Sequence, residues 1–445
     1  MDTLTTAANI IAYTVACAAC LWLMRRNQIC FVAFIPALIS MFLRISSVAM
    51  IEFLAPVYSR QLDLVIPKGN FTILIVIYYA LFFLPAIIVV STMNKGKYAR
   101  VDFNWIRRKS ASKMVLLAYY VFLVGLFMEM ASTGVIPLFE RMERFVYTAQ
   151  HGGVLHGAML KYNAVISLIL GAICVEEIVI RRQLKWKSFL PVFGLMTYMF
   201  LAGHRFAAFN KIAAFFAVPF AVLKSFEMSR EMWGNFWRNY GGKILVVILI
   251  AVCIPIAAIL NSYFNVRVNS GVGGFEGIRE RLFVQQGEFW PVIVMNILEG
   301  RMDAGLETKL DFILNAPIIP DQNTSIQFLM YQVLGEDAIA ILERGQQFAG
   351  GFPEISLVIF GPFGAFVFLI VAGVIYGYVV RLCLICVAKR RIVALVFGSF
   401  LYYSFMLLVY NGMLNQFTVT TYFIKVLCFI GVMFYAENTR TMRTS

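Results

Sequence analysis

Long apolar runs separated by short polar stretches dominate the chain. A helix needs about 20 mainly apolar residues to cross a bilayer, and runs close to that length recur from end to end. The pattern predicts eleven transmembrane helices, at about 5–24, 30–50, 71–93, 114–131, 162–180, 188–203, 206–225, 244–260, 356–380, 392–410 and 418–436. We therefore expect an all-α polytopic membrane protein.

Basic residues collect in every second polar stretch, which predicts the orientation of the helices. They are Arg25, Arg26, Lys95, Lys97, Arg100, Arg107, Arg108, Lys109, Lys113, Arg181, Arg182, Lys185, Lys187, Lys224, Arg230, Arg238, Lys243, Arg381, Lys389, Arg390 and Arg391. Loops rich in Lys and Arg stay on the cytoplasmic side of a membrane. The N-terminus is thus predicted outside and the C-terminus, with Arg440 and Arg443, inside.

Two of the loops predicted to face outward are long enough to fold: residues 131–161 and residues 261–355. Within the larger loop, the segment Asn261–Phe352 holds six basic and eleven acidic residues, as expected for a loop outside the cytoplasm. Its apolar patches predict short amphipathic helices on the membrane surface. We expect a single membrane domain over residues 1–445, with part of the active site in the larger loop.

Composition excludes several classes of protein. A hydrophobic content of 61% and a mean hydropathy of +0.79 exclude an ordinary soluble domain. The net charge of +14 is spread over short loops rather than gathered in one patch with aromatic residues, so no nucleic-acid partner is predicted. The eight cysteines lie in or beside apolar runs, where small membrane residues are expected rather than zinc or redox pairs.

No metal or cofactor signature is present in the sequence. The three histidines, His151, His156 and His204, do not form an HExxH motif, and no carboxylate pair has metal-binding spacing. Nucleophile-elbow, kinase and nucleotide P-loop patterns are also missing. The sequence therefore predicts metal-independent chemistry without a cofactor.

Arginines of the larger loop are candidates for binding phosphate. Arg267, Arg279 and Arg281 lie in or near a stretch with glycines at 271, 273, 274 and 277. Guanidinium groups match phosphate oxygens, and glycine turns aim backbone N–H groups at the same anion. An alternative that remains open is pairing with the glutamates of the same segment on a solvated helix face.

A second candidate is the corner Gly203-His204-Arg205 between two apolar runs. Ionisable groups at this depth are costly unless they face a polar cavity or a headgroup. We expect Arg205 to contact phosphate, with snorkelling to the surface as the alternative. His204 is a candidate substrate contact, although a lone histidine at an interface is commonly a satisfied polar residue.

The smaller outer loop and the second run add three arginines. Arg141 and Arg144 lie one helical turn apart, on a segment that either closes over a lipid-linked head group or forms an amphipathic interface helix. Arg44 lies late in the second run. It is expected to join the same polar cavity or to pair with Glu52.

Glu354 is the candidate general base, because partial burial where water meets lipid favours proton acceptance by a carboxylate. The alternative is that Glu354 complements the N-terminal end of its own helix dipole. Gly361 and Gly364 follow in the same run. We expect them to allow close helix packing.

In layout the chain resembles the O-antigen and oligosaccharide repeat unit polymerases, the Wzy-type family. The resemblance is carried by Gly134–Phe139 after the fourth run, the corner Gly203–Arg205, the large late outer loop, and Pro353-Glu354 leading into Gly361–Gly364. It covers most of the chain in layout and few positions in identity. It implies a GT-C-like glycosyltransferase architecture in the bacterial inner membrane.

The resemblance implies that undecaprenyl-diphosphate-linked repeat units are polymerised into a surface polysaccharide, such as the O-antigen of lipopolysaccharide, by inverting transfer on the periplasmic face. Donor and acceptor would both be lipid-linked glycans, and a chain-length regulator would be a further partner. Arg205, Arg279 and Arg281 would hold the diphosphate and Glu354 would act as base. Arg267, Arg141, Arg144, Arg44 and His204 would be further substrate contacts.

Two other functions remain open at this point. O-antigen ligases carry a histidine in the late outer loop, whereas this chain has none between Asn261 and Phe352. A flippase or transporter would be expected to show repeated halves and helices broken at the midplane. Here charged residues instead collect at one interface and one loop dominates.

Overall fold

The computed structural model describes residues 3–54, 56–59, 61–92, 111–140, 142, 144–181, 189–204, 206–226, 238, 279–280, 283–302, 305–314, 325–343 and 349–441. The α-helices are α1 Thr3–Arg26, α2 Gln28–Phe53, α3 Phe71–Ser91, α4 Ser112–Ser132, α5 Arg144–His151, α6 Val154–Arg181, α7 Leu190–Leu201, α8 Phe206–Ala217, α9 Phe289–Leu298, α10 Leu306–Leu314, α11 Ser325–Leu334, α12 Asp337–Glu343, α13 Glu354–Ala388, α14 Ile392–Asn411 and α15 Thr420–Thr441. Two 3-10 helices, Val218–Phe226 and Leu414–Phe417, follow α8 and α14, and a two-stranded antiparallel hairpin pairs β1 Tyr58–Ser59 with β2 Leu64–Val65.

Seven helices in the described ranges are long and apolar enough to cross a membrane: α1, α2, α3, α4, α6, α13 and α14. Shorter apolar helices coincide with the predicted runs 188–203, 206–225 and 418–436. The predicted run 244–260 lies outside the described residues. The protein is thus mostly helical, as expected for an all-α polytopic membrane protein.

Side-chain contacts show which helix ends lie at the same end of the helix bundle. Asn27, between α1 and α2, donates to Ser91 at the end of α3 over 2.6 Å. Arg390, after α13, forms a buried ion pair with Glu176 near the end of α6, and Ser112 at the start of α4 donates to the same carboxylate. We call this end of the bundle the Arg390 end. The loops predicted to be cytoplasmic start from it.

The opposite end of the bundle, which we call the Glu354 end, holds the other termini of the same helices. Asn9 donates to the carbonyl of Gly69 over 2.8 Å, which fixes the first half of α1 beside the start of α3. Glu52 near the end of α2 accepts the backbone N–H of Phe71 over 2.8 Å. Because N–H groups in the first turn of a helix have no intrahelical partner, this carboxylate caps α3.

Close packing of α3 against α13 depends on Gly373 and Gly377. A Cβ at Gly373 would lie 2.1 Å from the carbonyl oxygen of Phe82, and one at Gly377 would lie 2.9 Å from the Cα of Ala86. Small residues four apart let two helix backbones approach in this way. The packing role expected of Gly361 was wrong: Gly361 has a φ of 69°, nothing lies within 4 Å of its Cβ position, and it interrupts α13. A Cβ at Gly364 would meet only the Phe360 side chain of its own helix.

Helix α6 begins at Val154, eight residues before the predicted run 162–180. The carboxylate of Glu129 on α4 accepts the backbone N–H of Leu155 over 3.0 Å and that of His156 over 2.8 Å. Gly153 leaves room for this approach, since a Cβ there would lie 2.4 Å from the Glu129 carboxyl carbon. His156 and Lys161 interrupt these first turns, so the continuous apolar pattern begins only at residue 162.

The described part of the larger loop folds onto the Glu354 end. Trp290 of α9 is fully buried and donates its indole N–H to the carbonyl of Phe71 over 2.9 Å. The rings of Phe312 on α10 and Phe328 on α11 stack with centroids 4.5 Å apart. Aromatic anchors of this kind bury large apolar areas and hold short helices in place.

Candidate functional site

Most buried arginine, histidine and glutamate side chains of the described residues lie at the Glu354 end. They are Arg44, Glu52, His156, His204, Glu288 and Glu354, whereas Glu176 lies at the Arg390 end. Buried charges and polar groups are expensive and are retained where they are paired or used. The Glu354 end is therefore the candidate functional face of the protein.

Arg44 and Glu354 form a buried ion pair that joins four helices. The Arg44 Nη1 lies 3.1 Å from Glu354 Oε2 and also donates to the carbonyl of Phe352. Its Nη2 donates to the carbonyl of Tyr410 over 2.7 Å, and the Tyr79 hydroxyl donates to Phe352 over 3.0 Å. We call Arg44, Phe352, Glu354 and Tyr410 the Arg44 clamp. It connects α2, α13 and α14, with α3 contributing Tyr79.

Glycines bring the clamp's two backbones into contact. Gly351 has a φ of 122°, and a Cβ there would lie 2.2 Å from the carbonyl oxygen of Asn411. Gly412 has a φ of 66°, and its Cβ would lie 2.1 Å from the carbonyl oxygen of Gly351. Only glycine fits either position without strain. The end of the larger loop is thus pressed against the end of α14.

The clamp settles which partner Arg44 has. The sequence left pairing with Glu52 open, but Glu52 caps α3 and Arg44 contacts Glu354 instead. Glu354 is fully buried, one of its oxygens faces Arg44, and its Oε1 has no hydrogen-bond partner among the described residues. These are the contacts of a positioning residue. The role of Glu354 as general base stays a prediction.

A second group, which we call the basic cluster, consists of Arg144, His204 and Lys211. Arg144 begins α5, His204 lies in the corner after α7, and Lys211 lies in the second turn of α8. The Lys211 Nζ is 5.7 Å from the centroid of the Tyr403 ring on α14. A cation over an aromatic face is stabilised by the ring quadrupole. The cluster therefore gathers positive charge between α5, α8 and α14.

His204 is the most enclosed member of the basic cluster. Its side chain is nine-tenths buried, with 8% exposed, and its Nε2 has no hydrogen-bond partner among the described residues. Burial, together with the positive charges of Arg144, His156 and Lys211, lowers the pKa of His204 to about 3. His204 is therefore neutral at physiological pH and has an unused ring nitrogen.

His156 lies directly behind this cluster. Its Nδ1 is 2.8 Å from the hydroxyl of Tyr198 and its Nε2 is 3.2 Å from the hydroxyl of Thr148. The His156 and His204 rings have centroids 6.3 Å apart. Residues that are distant in sequence thus meet in space. No set of three or more His, Cys, Asp or Glu side chains in the described ranges is arranged to hold a metal.

The basic cluster is suited to bind an anion. Arginine and lysine form charge-assisted hydrogen bonds with phosphate oxygens, and a neutral imidazole can donate its N–H to the same group. A partly buried setting strengthens these interactions, because water screens them less. Phosphate or diphosphate oxygens are the anions that this combination of donors matches best.

The structure brings together some of the residues expected at the site. Arg144 and His204 lie in the basic cluster, Arg44 contacts Glu354, and Arg279 is exposed. Arg141, Arg205, Arg267 and Arg281 lie outside the described residues. Lys211 was not predicted, although a lysine this far inside the apolar run 206–225 is itself a signal of an intramembrane functional group.

Glu288 is a further buried carboxyl, and in the sequence it was one of the glutamates expected as possible partners of the loop arginines. Its Oε2 accepts the Ser59 hydroxyl over 2.7 Å, while its Oε1 has no hydrogen-bond partner among the described residues. Burial raises the pKa of Glu288 to about 7, against the effect of the Ser59 hydrogen bond and with a contribution from Glu280. Glu288 therefore titrates near neutral pH.

Glu288→Gln is expected to flatten the dependence of stability on pH. A carboxyl whose pKa rises from 4.5 to about 7 on folding stabilises the protein fully below pH 4.5, and this contribution is lost as the pH rises through 7. The loss amounts to roughly 3 kcal/mol. Thermal unfolding in detergent at pH 5 and pH 8 measures it. The exposed Glu307→Gln is the control, and a wild-type slope in Glu288→Gln would contradict the expectation.

Comparisons with known proteins leave the function open. No curated protein and no solved structure matches the chain. Residues 319–425 match a family of unknown function (DUF6418). The matched segment includes Glu354, Tyr403 and Tyr410, whereas Arg44 and the basic cluster lie before it.

Proposed function

We propose that the protein is a membrane glycosyltransferase that polymerises undecaprenyl-diphosphate-linked repeat units into a surface polysaccharide such as an O-antigen. The observation that carries this proposal is the basic cluster, where Arg144, His204 and Lys211 meet at the Glu354 end. A departing diphosphate needs such a cluster, because its developing negative charge must be stabilised in the transition state.

The depth of Lys211 favours a phosphate that arrives on a lipid. Lys211 lies five residues after the start of α8 at Phe206, or roughly 8 Å along the helix at 1.5 Å per residue. It lies between apolar helices rather than in the loops. A diphosphate attached to a membrane lipid approaches from that side, whereas a soluble phosphate would have to leave water to reach it.

In the proposed reaction, a hydroxyl of the acceptor glycan attacks the anomeric carbon of the donor. A new glycosidic bond forms, the bond between the anomeric carbon and the diphosphate oxygen breaks, and undecaprenyl diphosphate leaves with the electron pair. The hydroxyl proton passes to a base, for which Glu354 is the proposed residue. Arg205, Arg279 and Arg281 are proposed to assist the basic cluster in holding the diphosphate.

The proposed setting is the bacterial inner membrane, with the Glu354 end in the periplasm, the N-terminus periplasmic and the C-terminus cytoplasmic. The positive-inside rule supports this orientation, because the basic loops start from the Arg390 end. The GT-C-like architecture, the lipid-linked donor and acceptor, and a chain-length regulator as partner belong to the same proposal. An O-antigen ligase or a flippase would use the same lipid, so product length must distinguish them.

Lys211→Ala and Arg144→Ala are each expected to shorten the surface polysaccharide to a single repeat unit. Loss of a charge-assisted hydrogen bond to the diphosphate, at about 1.5–3 kcal/mol, slows transfer by roughly 10- to 100-fold. The measurement is the length distribution of surface glycan in a deletion strain that carries each variant. Membrane expression is checked in parallel by immunoblot.

Lys161→Ala is the matched control, because Lys161 is an exposed lysine on α6. It should restore the full ladder of chain lengths. Loss of all surface glycan after gene deletion would indicate a ligase or a flippase instead of a polymerase. An unchanged ladder after deletion would exclude a role in glycan assembly altogether.

A further inference from the structure

Helix α10 in the larger loop has three distinct faces. Phe312 is buried, with only 2% of its surface exposed, and turns one face inward. Leu306, Leu310 and Leu314 recur every four residues and are 74%, 45% and 67% exposed. Residues four apart lie on the same side of a helix. The three leucines therefore form one continuous apolar stripe that no described part of the protein covers.

The exposed sides of α10 away from the stripe are polar. Thr308 and Asp311 are exposed, and at 100° per residue they lie about 160° and 100° from the centre of the leucine stripe at Leu310. One side of the helix thus packs on the protein, while its exposed surface is apolar on one side and polar on another. This arrangement is typical of helices that lie in a membrane interface.

Two contacts hold α10 at the level where membrane helices end. The Phe312 ring stacks on Phe328 with centroids 4.5 Å apart, which fixes the rotation of the helix. The carbonyl of Ile313 accepts the hydroxyl of Thr418, in the connection between α14 and α15. This connection lies directly after the last turn of α14, a candidate membrane-spanning helix. The C-terminal end of α10 is therefore fixed at the boundary of the apolar bundle.

The surface next to this boundary is itself apolar and exposed. On α15, Phe423, Ile424 and Leu427 are 55%, 53% and 68% exposed, within one to three turns of Thr418. Side chains of this kind face the hydrocarbon region in a membrane protein. Burying a leucine in an apolar medium is favourable by about 1.5–3 kcal/mol, so the stripe on α10 is stabilised if it continues the same lipid contact.

We propose that α10 is an interfacial helix whose stripe of Leu306, Leu310 and Leu314 inserts into the phospholipid surface at the Glu354 end. The partner is the bilayer itself, at the boundary between headgroups and acyl chains. The helix thereby holds the larger loop against the membrane. This role is independent of the proposed glycosyl transfer and applies to any reaction at this face.

Spin labels on single cysteines test the proposal in the full-length protein. The labelled positions are Leu306→Cys, Leu310→Cys and Leu314→Cys on the stripe, with Thr308→Cys and Asp311→Cys as controls on the polar sides. The protein is reconstituted in vesicles of phosphatidylethanolamine and phosphatidylglycerol. Collision rates are measured with oxygen, which concentrates in lipid, and with a water-soluble nickel chelate. The parent chain provides the background from its native cysteines.

We expect the stripe positions to collide several-fold more often with oxygen than with the nickel chelate, and the control positions to show the reverse. A stripe as accessible to the nickel chelate as Asp311→Cys would place the leucines in water and overturn the proposal. A stripe shielded from both reagents would also overturn it, because a second protein surface would then cover the leucines.

Discussion

Arg44→Ala is expected to lower the free energy of unfolding by about 3–5 kcal/mol, the usual effect of removing one partner from a buried ion pair. Glu354 would remain buried without its guanidinium, and the carbonyls of Phe352 and Tyr410 would lose their donor. Unpaired buried groups keep their full desolvation penalty. The measurement is thermal unfolding in detergent, followed by the fraction of protein that stays monodisperse.

Arg301→Ala is the matched control for this result. Arg301 also forms an ion pair, with Glu299, but its side chain is 67% exposed. Surface pairs contribute about 0–1 kcal/mol, so this variant should unfold close to the wild type. The double variant Arg44→Met with Glu354→Gln should recover part of the loss, because it removes both charges. Equal melting of Arg44→Ala and Arg301→Ala would contradict the role of the clamp.

The single variant Glu354→Gln tests the catalytic role of Glu354. Glu354→Gln keeps an oxygen that accepts a hydrogen bond from Arg44 but cannot act as a base at neutral pH. Normal stability with loss of glycan elongation would support a base. Loss of stability and elongation together would assign Glu354 to positioning.

Gly351→Ala is expected to destabilise the fold on the order of 3 kcal/mol or more, since strain and overlap act together. The added Cβ would lie 2.2 Å from the carbonyl oxygen of Asn411, and the φ of 122° is unfavourable for alanine. The backbone fixes the position of the Cβ, and its partner is a backbone oxygen, so neither atom can rotate away. We expect a sharp fall in the yield of folded protein, measured by size-exclusion chromatography after extraction.

Gly431→Ala is the control for this substitution. Gly431 lies in α15, and nothing lies within 4 Å of its Cβ position. Alanine is the better helix former by about 1 kcal/mol, so this variant should be as stable as the wild type or slightly more stable. If Gly351→Ala folds with the same yield, the contact between the larger loop and α14 is not the close one described.

Membrane helices were the part of the fold that the sequence predicted best. Lipid requires long apolar segments with internally bonded backbones, and this constraint is visible in the chain itself. The start of α6 was placed too late, because His156 and Lys161 interrupt its first turns and its N-terminal N–H groups depend on Glu129 from another helix. The helix-packing glycines were also misplaced. Gly373 and Gly377 can be recognised only when the partner surface on α3 is known.

Several residues of the candidate site were predicted from the sequence, but their contacts with one another were not. Arg44 and Glu354 were both singled out, yet 310 positions separate them, and no local pattern links them. His156 and His204 were considered scattered, whereas tertiary packing brings their rings together. Lys211 lies in an apolar run of the sequence, and Glu288 follows the polar residues Gln285 and Gln286. Their significance depends on neighbours that only the fold provides.

The interruption of α13 at Gly361 divides the helix into a short segment that begins at Glu354 and a long segment that ends at Ala388. Because Gly361 has a non-helical φ of 69° and Pro362 lacks an N–H, the hydrogen-bond ladder of the long helix is broken at this joint. Glu354 therefore lies on the short helical segment before Gly361. The Arg44 clamp orients this segment, rather than the tilt of residues 362–388. We therefore expect a tilt of residues 362–388 in a bilayer of different thickness to bend the helix at Gly361 and to leave the geometry at the Glu354 end unchanged.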